Sequence, residues 1–170
     1  MLHAGDTAAK RDAMRAVLKR YHYREAHVTI DNADWLIARA LRARLAADPG
    51  ADTRPYRDLY LRHMRAFARY FRETAAEVFG RDIPHTLLTH FNLLNALHLG
   101  GLLHGLASDG WSIVAAADAY RDSVFRRSPD VLPAGDSLVW ACAREAGRKL
   151  PTPPIEDERW LTAQLDRLKS

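Results

Sequence analysis

Two groups of polar and aromatic side chains follow short apolar segments of the chain, and both are suited to proton transfer. The first is Asp31-Asn32-Ala33-Asp34-Trp35, which comes after a β-branched run ending at Ile30. The second is His90, the last residue of the segment Leu87-Leu88-Thr89-His90. A carboxylate, an indole and an imidazole at one edge of a domain would form an acid–base site.

Structural roles also account for each of these residues. Asp31 and Asp34 stand where a helix is predicted to begin, so either can cap the helix or complement its dipole. Trp35 can be a core residue, and His90 can be a buried histidine whose hydrogen bonds are satisfied. Their placement at the ends of predicted strands, where α/β proteins carry functional groups, favours the functional interpretation.

Three short segments are typical of β-strands: His27–Ile30, Thr86–His90 and Trp111–Ala115. Helical patterns separate them, and strands that alternate with helices predict a parallel sheet in an α/β domain. A closed α/β barrel needs about eight strands. The sequence therefore predicts a helix-rich partial (β/α) barrel with three parallel strands, completed by a missing part or by a second copy of the chain.

The rest of the pattern predicts helices and one linker. Helices are predicted over residues 7–21, 33–47, 53–80, 92–107, 116–120, 137–146 and 156–168. The segment Pro151-Thr152-Pro153-Pro154 predicts a stiff linker before a peripheral last helix. This divides the chain into a domain at 1–150 and an extension at 151–170.

Other residue groups are weaker candidates for chemistry. His98 and His104 lie six positions apart on a predicted helix, which is not the spacing of a metal-binding pair. Asp118 and Asp122 fit a solvated face better than a metal site. Cys142 is the single cysteine, which excludes an internal disulfide and a cysteine-rich zinc site.

Composition limits the classes of protein that the chain can belong to. The 170 residues are 48% hydrophobic and carry a net charge of +4. No run of about 18 apolar residues occurs, so no membrane span is predicted. The first residues lack an apolar signal-peptide region, so the chain as written is expected to be cytoplasmic. An arginine face on the 53–80 helix (Arg62, Arg65, Arg69, Arg72) is expected to be solvated or to contact a partner, and nucleic acid is not the expected partner.

The order of these motifs resembles that of the polysaccharide deacetylases, the NodB-like carbohydrate esterases. Val28 to Trp35 is similar to the fourth motif of that family, Asp-x-x-Asp-Trp after a strand, and Leu87 to Asn92 is similar to the fifth, Leu-x-His at a strand end. Gly110–Val114 and Ala117–Tyr120 resemble the family's closing strand and helix. The resemblance covers about residues 2–147.

Three motifs of the family are absent from this sequence. They are the Thr-Phe-Asp-Asp stretch that supplies the base and a metal ligand, the His-x-x-x-His that supplies two metal ligands, and the Arg-x-Pro-aromatic motif that would precede Leu2. The resemblance therefore implies that residues 1–150 are the C-terminal half of a deacetylase domain.

The resemblance also implies a role for each candidate residue. In the family a divalent, zinc-like metal polarises the acetyl carbonyl, and a histidine protonates the departing group. Carried over, His90 would be the general acid, Asp34 would orient the missing arginine and base, and Trp35 and Leu88 would line the pocket of an acetylated carbohydrate. Because the metal and base motifs are absent, this chain alone is expected to bind no metal and to have little or no hydrolase activity.

Two alternatives remain open from the sequence. One is a non-catalytic binding or regulatory module that uses the arginine face on an anionic partner. The other is a self-assembling fragment whose apolar helix and sheet edges are covered by another copy of the chain.

Overall fold

The computed structural model describes residues 4–151, 153–154 and 157–168. Its helices are α1 (Ala8–Arg20), α2 (Asp34–Ala47), α3 (Arg54–Phe79), α4 (Leu93–Ser108), α5 (Ala116–Ala119), α6 (Leu138–Glu145) and α7 (Glu158–Arg167), with a 3₁₀ turn at Ser123–Arg126. These helices confirm the predicted ones to within a few residues at each end. Thr152 of the predicted linker and Glu156 of the predicted last helix lie outside the described residues.

The prediction of a parallel sheet is wrong. The described part of the chain contains no strand, and its β-type pairing is limited to two isolated bridges, Ile30 with Leu87 (parallel) and Gly5 with Ala134 (antiparallel). The predicted third strand, residues 111–115, is irregular. The chain is therefore helical, and the partial (β/α) barrel with three parallel strands is overturned.

Hydroxyl side chains explain why the first two predicted strands stop at one bridge. The Thr86 N–H donates to Thr29 Oγ1 (2.8 Å), and the Thr86 hydroxyl donates to the His27 carbonyl (2.8 Å). The Ser137 hydroxyl donates to the Thr29 carbonyl (2.8 Å). Because these side chains pair backbone groups that a ladder would use, the two segments meet without extending into strands.

Contacts divide the chain into two compact units built from interleaved segments. The first consists of Met1–Asp31, Phe71–Leu87 and Ala115–Pro151. Its core contains Phe71, Val124, Leu138 and Val139, all buried. The Phe71 ring lies against Trp140, with centroids 5.1 Å apart.

The second unit consists of Asn32–Tyr70, Leu88–Val114 and Thr152–Ser170. Within it α2 packs against both α4 and α7. The core side chains that these helices and α3 bury are Ile37, Leu41, Tyr60, Met64, Leu94, Leu102 and Leu161. None of the helices in the described ranges is both long and apolar enough to cross a membrane.

Candidate acid–base site

The second unit brings Asp34 and His90 into direct contact. Asp34 Oδ1 lies 2.5 Å from His90 Nδ1, and Asp34 Oδ2 accepts a hydrogen bond from the His90 backbone N–H at 3.2 Å. The Asp34 side chain is fully buried, whereas 36% of the His90 side chain is exposed. A buried carboxylate therefore holds one nitrogen of an imidazole whose remaining part reaches solvent.

The start of α2 places Asp34 at this position. The Asp34 N–H donates to Asn32 Oδ1 (3.0 Å), and the Ala33 N–H donates to Nε2 of the buried His63 (2.9 Å). These acceptors satisfy backbone donors that the first turn of a helix leaves unpaired. The prediction that Asp31 caps this helix is wrong, since the N-cap residue is Ala33. Asp34 lies in the first turn, where a negative charge complements the helix dipole.

The first turn of α4 contributes further hydrogen bonds to Asp34 and His90. The Asn92 side chain caps this helix by accepting from the Asn95 N–H (2.9 Å). This cap directs the Asn95 side chain towards the Asp34–His90 pair (the dyad). Asn95 Nδ2 lies 2.8 Å from Asp34 Oδ2 and 2.9 Å from the His90 carbonyl oxygen. The Tyr60 hydroxyl of α3 lies 2.6 Å from Asn95 Oδ1. Side chains of three helices are therefore linked by hydrogen bonds to one buried carboxylate, with Tyr60 linked through Asn95.

The directions of these hydrogen bonds follow from the atoms that carry protons. Asn95 Nδ2 faces only acceptors, so the NH₂ group of Asn95 lies on that side and its Oδ1 accepts from Tyr60. Burial raises the pKa of the Tyr60 phenol, and the charge of Asp34 raises it further, so Tyr60 stays a donor. His90 Nδ1 lies against a carboxylate oxygen, which is an acceptor, so the Nδ1–H proton of His90 is assigned to this contact. In the neutral ring the lone pair is then on Nε2.

The two residues predicted to line a substrate pocket, Trp35 and Leu88, differ in their surroundings. Trp35, adjacent to Asp34, is 40% exposed, and the Arg39 guanidinium lies 5.4 Å from the centroid of its ring. Trp35 is therefore not a core residue. Leu88 is half-buried, and its carbonyl accepts from Asn32 Nδ2 at 2.7 Å. This bond ties the segment before His90 to the segment before Asp34.

Sequence reasoning assigned no role to Asn95, Tyr60, His63 or Phe91. Asn95 lies just beyond the segment that resembles the fifth motif, and Tyr60 lies within the predicted 53–80 helix, so neither position was distinguished from its neighbours. Phe91 has a relative exposure of 111%, which makes it the most exposed of the large apolar residues in the described ranges. The sequence alone could not distinguish Phe91 from a core residue, because its exposure is visible only in the structure.

The described residues do not form a metal site. They contain no group of three or more His, Cys, Asp or Glu side chains placed to hold a metal ion. His90 Nδ1, which a metal could otherwise use, is occupied by Asp34. The residues described here do not fit the zinc-like ion that the family resemblance implies, and no chemical step is assigned to it.

Most of the predicted arginine face is engaged within the molecule. Arg65 makes two hydrogen bonds to the Asp109 carboxylate, at 2.7 and 2.5 Å. Arg72 lies 3.5 Å from Asp82, and the Arg62 guanidinium lies 4.6 Å from the centroid of the Trp160 ring. These partners reduce the charge that the face offers to an anionic ligand.

Comparison with protein-family models, with curated proteins and with solved structures finds no match for this chain. The geometry of the site and the motif resemblance are therefore the observations from which a function can be inferred.

Proposed function

We propose that this chain carries the proton-transfer part of a carbohydrate deacetylation site, with His90 as the acid–base group. The observation that carries the proposal is the contact between His90 Nδ1 and the buried Asp34 carboxylate at 2.5 Å. Such a pair fixes the tautomer and the orientation of the imidazole and leaves Nε2 for the substrate. In this proposal Asp34 orients His90 itself.

His90 acts through Nε2. The step follows addition of water to the acetyl carbonyl, with the proton of that water taken by a general base that this chain does not supply. With both ring nitrogens protonated, His90 then donates Nε2–H to the nitrogen or oxygen that leaves as the tetrahedral adduct collapses to acetate. The electron pair of the broken bond takes the proton, and the ring becomes neutral with Nδ1–H still donated to Asp34. General acid–base groups of this kind contribute about 10²- to 10⁴-fold to a rate.

Exposed rings beside the dyad support a carbohydrate as the substrate class. Trp35 follows Asp34 and Phe91 follows His90, and both rings are exposed in the structure. Aromatic side chains offer a flat apolar surface with few degrees of freedom, on which a sugar ring can stack. The deacetylase resemblance supports the same substrate.

NMR titration with an N-acetylglucosamine oligomer tests the proposal. We expect the oligomer to shift the ring signals of His90 and to leave those of His104, an exposed histidine of α4, unchanged. Phe91→Ala should weaken this binding, whereas Val114→Ala, which removes another exposed apolar side chain, should not. Equal shifts at both histidines, or none at His90, contradict the proposal.

We expect the chain alone to release little or no acetate from the same oligomer, because the base and metal motifs of the family are absent from the sequence. The measurement is acetate release with and without added zinc. Stoichiometric zinc in the purified protein, together with deacetylation that is lost in His90→Ala, would overturn this expectation.

Self-association is a second candidate role, favoured by exposed leucines on one side of α4. Leu93 and Leu97 are 46% and 52% exposed, close in sequence to the fully exposed Phe91. Exposed apolar side chains that lie together mark interaction surfaces. We expect light scattering to detect association that Leu97→Gln weakens, and a monomer at all concentrations would exclude this role.

A further inference from the structure

We propose that Tyr60 and Asn95 are positioning residues that hold the Asp34–His90 pair in its proton-donating geometry, through a chain of hydrogen bonds that all point towards the Asp34 carboxylate. This inference depends on the proposed role of His90 as the acid–base group. It adds a second layer, in which α3 acts on His90 through two intermediate side chains.

Asn95 acts on both members of the pair at once. Its Nδ2 donates to Asp34 Oδ2 (2.8 Å) and to the His90 carbonyl (2.9 Å). The first bond fixes the rotation of the carboxylate, so that Oδ1 faces the imidazole. The second fixes the backbone of His90, whose N–H also donates to Asp34 Oδ2. Asn95 is therefore placed to fix the position of the His90 ring relative to the Asp34 carboxylate that accepts its proton.

Tyr60 fixes Asn95 from the other side. Its hydroxyl donates to Asn95 Oδ1 at 2.6 Å, and Tyr60 is fully buried on α3 while Asn95 is 7% exposed. In a buried environment each bond of such a chain polarises the next, and an amide oxygen left without a donor would be costly. The hydroxyl therefore completes the hydrogen bonding of Asn95 in the orientation that Asp34 requires.

A purely structural role is the competing explanation, since any buried hydrogen bond adds stability. The two roles differ in their effect on the His90 ring. A structural bond changes the free energy of unfolding alone, whereas a positioning bond also changes the lifetime and the chemical shift of the His90 Nδ1–H proton. Tyr56 offers a matched control, because it is also buried on α3 and no described residue hydrogen bonds to its hydroxyl.

The experiment compares Tyr60→Phe with Tyr56→Phe by proton and nitrogen NMR of the His90 ring, without substrate. We expect Tyr60→Phe to make the Nδ1–H proton exchange with solvent about fivefold faster, the factor that loss of one net hydrogen bond implies, and to shift its resonance. Asn95→Ala should have a larger effect and should populate the tautomer with the proton on Nε2. Tyr56→Phe should leave the His90 signals as in the wild type.

The inference is overturned if Tyr60→Phe lowers the stability but leaves the exchange rate and the shifts of the His90 ring unchanged, or if Tyr56→Phe changes them equally. Should Tyr60→Phe fail to fold, Asn95→Ala decides by the same readout. Since no substrate is present, failure here is distinct from failure of the carbohydrate titration, which tests the role of the site itself.

Discussion

Asp34 is the residue on which the site depends. It is a fully buried carboxylate that receives hydrogen bonds from the His90 ring, the His90 backbone and Asn95. Burying a charge is favourable only if such partners replace the water that it loses. The arrangement is therefore strongly coupled, and removing its centre leaves several buried donors without an acceptor.

Asp34→Ala should lower the free energy of unfolding by about 3 kcal/mol, the range found when one partner of a buried, hydrogen-bonded pair is removed. Urea denaturation measures this change. Asp118→Ala, at an exposed carboxylate of α5, is the control and should cost less than about 0.5 kcal/mol. Equal costs for the two variants would show that Asp34 is not a structural centre.

Because of His85, the free energy of unfolding should decrease as the pH is lowered. Burial, with a smaller contribution from Arg72, lowers the pKa of His85 to about 4. The unfolded chain titrates near pH 6.5 (about the ordinary value for histidine), so only the unfolded state gains this proton between about pH 6.5 and 4. The stability is therefore complete above pH 6.5, decreases as the pH falls, and loses up to about 3 kcal/mol by pH 4.

Urea unfolding at a series of pH values measures this dependence. His85→Gln should flatten it, and His104→Gln, at an exposed position, should not. A wild-type stability that does not change between pH 6.5 and 4 would contradict the assignment.

At the scale of elements, helix ends position the site. Asp34 lies in the first turn of α2, and Asn92 and Asn95 form the N-cap and the first turn of α4. These helices were predictable from caps and apolar spacing, because both signals are local. Strands could not be predicted in the same way, because a strand requires a partner that is distant in sequence. Here the hydroxyls of Thr29 and Thr86 form hydrogen bonds with backbone groups that a partner strand would otherwise have paired.

Two glycines of α4 should respond differently to alanine. A Cβ at Gly100 would meet nothing within 4 Å, whereas a Cβ at Gly105 would lie 3.2 Å from Arg65 Cδ. Gly100→Ala should therefore stabilise the protein by about 1 kcal/mol through helix propensity, a rise in Tm of about 2–4 °C for a chain of this size. Gly105→Ala should gain less, because Arg65 must move while it is paired with Asp109. Thermal unfolding compares the two variants, and an equal gain at Gly105 would contradict this account.

At the scale of the whole molecule, the net charge of +4 gives little information about partners. Three of the four arginines of α3 that suggested an anionic partner are engaged within the molecule: Arg65 pairs with Asp109, Arg72 pairs with Asp82, and Arg62 lies over Trp160. An arginine that is already paired gains less from a phosphate than a free one, because the existing bond must be broken first. The binding-module alternative is weakened accordingly.

We expect the protein to show no steeply salt-dependent binding to a fluorescent oligonucleotide. Fluorescence anisotropy at low and at physiological salt measures this. Phosphate contacts would give an affinity that falls by orders of magnitude over that range. A fall of that size, reduced by Arg69→Gln on the exposed part of the face, would restore the binding-module alternative.

The sequence alone determined the helices, the apolar stripes that pack them and the two residues, Asp34 and His90, at which chemistry was sought. Each of these depends on neighbours within a few positions along the chain, so a local pattern contains it. The tertiary structure decided which of these residues and elements contact one another. It joined Asp34 to His90, brought Asn95 and Tyr60 to the same carboxylate, and replaced the expected sheet with single bridges. These outcomes depend on pairings between residues at least 35 positions apart, and the competition among donors and acceptors that selects them exists only in the folded chain.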